Sequence, residues 1–284
     1  MVGIWDDWWV RLIVGLLGGG LMGAAAYRAR ALSLSGALSA AIMGAGFITL
    51  GEPVWFGVLI AFFVSSSVWS KWKKHSRAKA KAEANYAKSG RRDAGQVWAN
   101  GGAGLLLCAA HALWPHEGWF YAFVGVMAAV NADTWATEIG ALSRTAPRSI
   151  ISGKRVTPGT SGGVTPLGSA AALGGAVFIG VVAALLLKLQ PLGDAAAFHG
   201  EAAAAVVLAA AAAGLAGAFA DSLLGATGQA MFRCETCGSE TERELHCGSA
   251  TRHIRGFAAL NNDRVNLLSS LFAGLLAWAI GSIF

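Results

Sequence analysis

Four short stretches of this sequence set metal- and phosphate-binding groups inside or beside long apolar runs. NADTWATEIG, residues 131–140, carries Asp133 and Glu138. KRVTPGTSGGVTPLG, residues 154–168, begins with Lys154 and Arg155 and continues through Thr160, Ser161, Gly162 and Gly163. ADSLLG, residues 220–225, carries Asp221, and NNDRVN, residues 261–266, carries Asn262, Asp263 and Asn266. A carboxylate in a membrane helix costs roughly 2.5–3.5 kcal/mol on insertion scales, so each acid needs a partner or a metal. Glycines let backbone N–H groups approach an anion, and Lys or Arg neutralises phosphate. Mg²⁺ takes hard oxygen ligands, often one or two carboxylates plus substrate phosphates. Asp133, Asp221 and Asp263 are therefore expected to hold Mg²⁺, with the Lys154–Gly163 stretch on nucleotide phosphates. The Walker A spacing is absent, so this is not a P-loop. Structural alternatives stand beside each reading: a polar helix-helix cluster around Asn131 and Asp133, a flexible loop at 154–163, a hydrogen-bonding Asp221 and Asp263 as a helix cap.

A fifth stretch, CETCGSETERELHC at 234–247, has the C-x-x-C-G signature of a zinc knuckle. In a reducing compartment a metal is more plausible than a disulfide. Cys234, Cys237, His246 and Cys247 are the expected ligands of a structural zinc. Neighbouring residues rarely bind one ion together, so His253 is an alternative fourth ligand. The alternative is a loop of unligated cysteines. Cys108, alone in an apolar run, reads as a small core residue.

The elements that position these groups are membrane helices. Of 284 residues 55% are hydrophobic and only 13% charged, about half the charge of an ordinary soluble domain. Eight apolar runs, near 9–27, 31–50, 53–70, 94–114, 118–141, 163–187, 202–225 and 264–283, approach the roughly 20 residues that cross a bilayer. Tryptophans such as Trp5, Trp8, Trp9, Trp69, Trp72, Trp114 and Trp119 gather at run ends, as an interfacial belt does. The predicted fold is an all-α polytopic bundle, one transmembrane domain over 1–284 with a Cys-rich cytosolic loop at 228–262.

Charge orients the bundle. Of the 22 Lys and Arg, only Arg11 and Lys188 fall outside one alternate set of loops. The opposite loops carry Glu52, Glu117, Asp194 and Glu201, and Asp6 and Asp7 lie on the N-terminal tail. The positive-inside rule then places both termini outside and all five motifs on the cytosolic side. The net charge of +6 is explained by this asymmetry, so nucleic acid is not an expected partner. The most basic stretch, Lys71 to Arg92, reads as a topology determinant that touches anionic headgroups; phosphate binding is the lesser reading. The N-terminus has no basic region of a cleaved signal, and the Ala- and Gly-rich composition points to a bacterial inner membrane. The abundant Gly and Ala suit helices packed closely in lipid; a homodimer is a candidate assembly, the oligomeric state being left open by the sequence.

Together, NADTWATEIG, GTSGGVTPLG, ADSLLGATGQ, CETCG with HCG, and NNDRVN resemble a family of bacterial, archaeal, plant and animal membrane proteins that includes the plant phytyl-phosphate kinases. More distantly these motifs look like those of phytol kinase, dolichol kinase and CTP-dependent cytidylyltransferases. The resemblance implies Mg²⁺-dependent phosphoryl transfer from a nucleotide, CTP being favoured, to an isoprenyl monophosphate. It carries over Asp133, Glu138, Lys154, Thr160, Ser161, Asp221, Asn262, Asp263 and Asn266. Asp133 and Asp221, with Asp263, would hold the metal. Lys154, Arg155 and the Thr160–Gly163 backbone would hold the nucleotide, and Glu138 or Asn266 would orient the acceptor. The rivals are a lipid-phosphate transporter or flippase, a cytidylyltransferase and a non-enzymatic assembly factor. A transporter site belongs near the midplane with access from both sides, whereas these motifs crowd one face.

Overall fold

The structure is a computed structural model that describes residues 7–88, 90–189 and 200–284. Trp5, Asp6, Asp194 and the side chain of Glu201 lie outside the described residues. Eight long helices run in chain order: α1 Trp8–Arg28, α2 Leu34–Leu50, α3 Pro53–Lys71, α5 Ala94–Leu113, α6 Glu117–Gly140, α7 Pro166–Leu189, α8 Gly200–Thr227 and α9 Asn262–Gly281. Between α3 and α5 lies a two-turn helix, α4, Arg77–Glu83.

By length and composition, five of the described helices can cross a membrane: α1, α3, α7, α9 and the Ala203–Thr227 part of α8. Leu34–Leu50 is a shorter apolar helix. The chain is mostly helical, as expected, but it is not all helix. Short strands fold the loops at one end: β1 Arg148–Ser149 pairs with β2 Gly163–Val164. Beyond α8, β3 Met231–Arg233 lies between β4 Glu240–Thr241 and β7 Arg252–Arg255, and β5 Leu245–His246 forms a hairpin with β6 Ser249–Ala250.

Caps set where the helices begin. Ser33 accepts the N–H of Gly36 at the start of α2, and Asn261 accepts that of Arg264 at the start of α9. Thr165 accepts the N–H of Gly168, with Pro166 at the first helical position, so α7 starts three residues later than the apolar run. Asp263 was a candidate cap, but Asn261 does that work and leaves Asp263 in the first turn with its carboxylate free for other partners.

Packing relies on small residues. Gly15, Gly19 and Gly23 of α1 lie on the backbones of Ala45, Ala41 and Ala37 of α2, and a Cβ on Gly19 would come within 2.5 Å of the Ala41 carbonyl. α6 is the central helix, buried almost continuously from Gly118 to Ala132, with α7, α8 and α9 around it. Gly140 and Gly168 let α6 and α7 meet backbone to backbone near one end. Asn131 ties α6 to its neighbours: its amide donates to Gly175 O of α7 at 2.8 Å and its oxygen accepts from Ser65 of α3 at 2.9 Å. Cys108 is buried in this core, as expected.

Candidate functional site

At the end of the bundle where α6 and α8 finish and α9 begins, the helices part around a cavity of about 820 Å³. Asp133 enters it from α6, and Asp221 from α8. Asp221 Oδ2 accepts from Ser269 of α9 at 3.0 Å. With the Asn266 amide nitrogen turned toward the carboxylate, the orientation that satisfies both groups, it donates to Asp221 at 2.9 Å and to Asn262 O at 3.3 Å. These bonds fix the Asp221 side chain from one side only. Asp133 has no hydrogen bond or ion pair among the described residues, so its oxygens face the cavity unspent. Asp263 sits at the rim in an ion pair with Lys88 at 2.5 Å, which also binds Asp93.

A roof covers this cavity, and the basic stretch builds much of it. Ser76 caps α4, and Lys79 turns inward, almost fully buried, to meet Glu138 at 2.7 Å and the Trp69 carbonyl at 2.6 Å. Glu138 also accepts from Ser70 at 2.6 Å. Lys74, Lys81, Lys88 and Arg92 line the cavity beside Arg144. The stretch therefore forms part of the cavity wall in addition to any part it plays in orientation. The Gly-rich loop closes against α4 and α8 at two left-handed glycines, Gly159 (φ 82°) and Gly162 (φ 81°). A Cβ on Gly159 would strike Ala82 of α4, and one on Gly162 would strike Ala226 of α8. Asn85 donates to Pro158 O at 3.1 Å, adding a third tie.

The Cys-rich loop completes the roof. Glu242 reaches into the cavity, and its carboxylate accepts from the Ala87 N–H at 3.0 Å. Burial raises the Glu242 carboxyl above the usual range, and Asp263 adds to this; the Ala87 N–H, Gln229 and Arg255 act the other way. Gln229 also accepts from Ser161 at 2.8 Å, so the Gly-rich loop and the Cys-rich loop are linked. Burial, then the charges of Glu242, Glu138 and Asp133, push the Tyr86 phenol well above its ordinary value, so it stays protonated. Burial draws Lys88 down, but its bonds to Asp263 and Asp93 outweigh that and leave it raised.

Arg92 occupies the junction of two spaces. With Gln96 and Asn100 it lines both the polar cavity and a narrow apolar slot of about 70 Å³ between α1, α2, α3 and α5. Its guanidinium lies 5.8 Å from the Phe62 ring and makes no side-chain hydrogen bond or ion pair among the described residues. Burial lowers its pKa, with the charge of Glu138 opposing.

The cavity thus gathers Asp133, Glu138, Thr160, Ser161, Gly162, Gly163, Asp221, Asn262, Asp263 and Asn266. It does not gather Lys154 and Arg155. Both are exposed at the base of the β1–β2 loop, where Arg148 donates to Gly153 O and Ser149 N–H donates to Lys154 O. The three aspartates share the cavity without converging on one point: among the described residues, the only group of three or more His, Cys, Asp or Glu whose ligand atoms meet is Cys234, Cys237, His246 and Cys247. Those four atoms lie within 4.8 Å of one another. The Cys237 N–H, then the His246 side chain, draw the Cys234 thiol down to about 6. His253 is not among them; it sits on β7 with its ring against Phe232. Sequence reasoning missed Tyr86, Lys88, Arg92 and Glu242 as cavity residues. Glu242 lay in an acidic ETERE run with no apolar periodicity to mark it, and the others in a stretch whose charge already had an explanation.

A helical integral membrane protein with a polar, carboxylate-lined cavity at the end of its bundle is the class this geometry defines. The chain belongs to the family described as integral membrane protein DUF92, with residues 18–274 matched. It is 29% identical over 293 residues to Protein PGR of Arabidopsis thaliana, an alignment covering 96% of this chain and 97% of that one. It is 27% identical over 267 residues to an uncharacterized membrane protein of Methanocaldococcus jannaschii, covering 94% and 93% of the two chains. No solved structure matches the chain.

Proposed function

We propose that this protein is a membrane lipid kinase that moves the terminal phosphoryl group of a nucleotide, CTP by preference, onto an isoprenyl monophosphate such as phytyl phosphate. The observation that carries the reading is the junction at Arg92: a polar cavity holding unspent carboxylate oxygens abuts an apolar slot, and an unpaired guanidinium stands between them. An amphiphile with a phosphate head and a hydrocarbon tail matches that polarity. The family resemblance of the motifs supports the same substrate class. The bundle is read as eight spans with both termini outside, in a bacterial cytoplasmic membrane, the cavity facing the cytosol.

Asp133 and Asp221 fit a Mg²⁺ held partly by protein and partly by phosphate, since Asp133 has no protein partner and Asp221 is tied through one oxygen. When bound, the ion would neutralise charge on the transferring group. Lys81, Lys88 and Arg144 take the place first expected of Lys154 and Arg155 against the nucleotide phosphates, with Thr160 to Gly163 beside them. Arg92 holds the acceptor phosphate. An oxygen of that monoester attacks the terminal phosphorus, the bond to the bridging oxygen breaks, and the nucleoside diphosphate leaves. No general base is required, because a phosphate monoester is already anionic at neutral pH. Glu138, committed to Lys79 and Ser70, positions the roof and does not orient the acceptor.

The test uses purified protein with Mg²⁺, phytyl, farnesyl or geranylgeranyl phosphate, and CTP labelled at the γ or the α position, with ATP in parallel. γ-Labelled lipid diphosphate is the expected product, and Asp133→Asn should lower kcat by roughly 10²–10³-fold. Arg92→Met should raise KM for the lipid and leave KM for the nucleotide unchanged. Transfer of the α label would mean cytidylyl transfer. No label with any pair, together with flux of the lipid phosphate in vesicles, would replace the kinase with a transporter.

A further inference from the structure

We infer that Cys234, Cys237, His246 and Cys247 form a structural zinc site whose task is to fasten the roof of the cavity. The inference is independent of the reaction proposed above. Cys234 closes strand β3, and a turn brings Cys237 back beside it; Gly238, at φ 74°, lets its N–H bond Cys234 O at 2.8 Å. The other two ligands are adjacent in sequence, an arrangement that an ordinary extended backbone would forbid because successive side chains point apart. Here the backbone is not extended. Cys247 and Gly248 are the two central residues of the β5–β6 hairpin, paired through His246 and Ser249, and both have positive φ, 53° and 77°. That left-handed turn swings the Cys247 thiol to the side occupied by the His246 ring. His246 Nδ1 stands 3.3 Å from Cys247 Sγ and 3.5 Å from Cys237 Sγ. A tetrahedral zinc with ordinary Zn–S and Zn–N bonds has S···N edges of about 3.6 Å, so these separations are already those of a coordination shell. A non-glycine residue in a left-handed turn costs energy, and convergence on a metal is a reason to bear it.

The strands around the site are two to four residues long, too short to stand alone. Yet the segment they carry grips the roof. Thr241 and the Glu242 N–H donate to Asn85 O at 3.1 and 3.0 Å. Arg243 donates to Tyr86 O at 2.8 Å and Glu83 O at 3.2 Å. A cross-link between the β3 turn and the β5–β6 hairpin fixes both ends of residues 238–245, the span that makes these bonds.

The test reads metal and local structure, not catalysis. Protein purified without chelator under reducing conditions, and again after incubation with Zn²⁺, is assayed for zinc by mass spectrometry. Equimolar zinc is expected, and Co²⁺ in its place should give the visible bands of a tetrahedral thiolate site. Cys237→Ser and His246→Ala should lose the metal, while Cys108→Ser and His253→Ala keep it. Chelation of the wild-type protein should speed hydrogen exchange at residues 83–87 by about tenfold or more, which keeps the inference testable even where a variant fails to fold. Metal-free wild-type protein after Zn²⁺ incubation, retention by the Cys237→Ser/His246→Ala double variant, a Cys237–Cys247 disulfide in protein from reducing conditions, or unchanged exchange on chelation would each overturn it.

Discussion

The ion pair between Lys79 and Glu138 gives a sharp prediction about the roof. The two atoms are 2.7 Å apart, and the side chains are 2% and 21% exposed, so neither charge is screened much by water. α4 has seven residues, too few to be helical alone. It stays in place because Lys79 is anchored, to Glu138 and to the Trp69 carbonyl. Removing one partner of a buried pair leaves an uncompensated charge and costs about 3–5 kcal/mol. At 1.4 kcal/mol per factor of ten, Lys79→Met or Glu138→Gln should lower exchange protection across residues 77–83 by roughly 10²–10³-fold. The double variant leaves no stranded charge, so it should lose less protection than either single one. Hydrogen-exchange mass spectrometry on the three variants measures all of this. If the double variant lost the sum of the two single effects, the pair would be carrying no interaction energy and the account of the roof would fail.

The raised carboxyl of Glu242 sets a pH dependence. Its folded pKa lies above its unfolded value, so its contribution to stability is fully present below the unfolded pKa and is lost as pH rises through the folded one. Glu242→Gln keeps an acceptor for the Ala87 N–H, so its unfolding midpoint should match wild type near about pH 4 and exceed it near about pH 8; an equal or lower midpoint at the higher pH would mean that Arg255 outweighs burial. On α1, Gly19→Val should loosen the α1–α2 pair, since any Cβ there meets the Ala41 backbone, whereas Gly20→Val, with nothing within 4 Å, should be close to neutral. Cysteine cross-linking between the two helices separates the cases.

Local pattern carried much of this fold, and its failures have physical causes. The run predicted at 53–70 is helix Pro53–Lys71, because Glu52-Pro53 opens it and basic residues close it. The run predicted from residue 163 begins at Pro166, because Thr165 caps the helix and the apolar Gly-Val before it forms a strand instead. Asp133, Asp221, Asp263 and Asn266 were legible because polar groups in an apolar helix must have a reason to be there. Lys79 was not, since its partner lies 59 residues away and only the tertiary fold brings Glu138 to it. Lys154 and Arg155 were drawn to the phosphate site by proximity to the glycines, but the β1–β2 pairing turns their segment outward. Adjacency in sequence argues against His246 and Cys247 as joint ligands, and the left-handed turn that unites them is a matter of φ, which residue types alone do not disclose.

The bond between Ala87 and Glu242 joins positions 155 residues apart. During synthesis from the N-terminus, the basic segment emerges long before the loop that will pin it. Until Glu138 arrives it is a free cationic peptide beside the membrane, drawn to anionic headgroups. Glu138 then anchors α4, and only the Cys-rich loop, just ahead of the last helix, closes the chamber. Chains cut short before Glu242 would keep most of their membrane helices and have an open cavity. The cavity is thus closed only by contacts between segments far apart in the chain, and its last wall is supplied just ahead of the final helix.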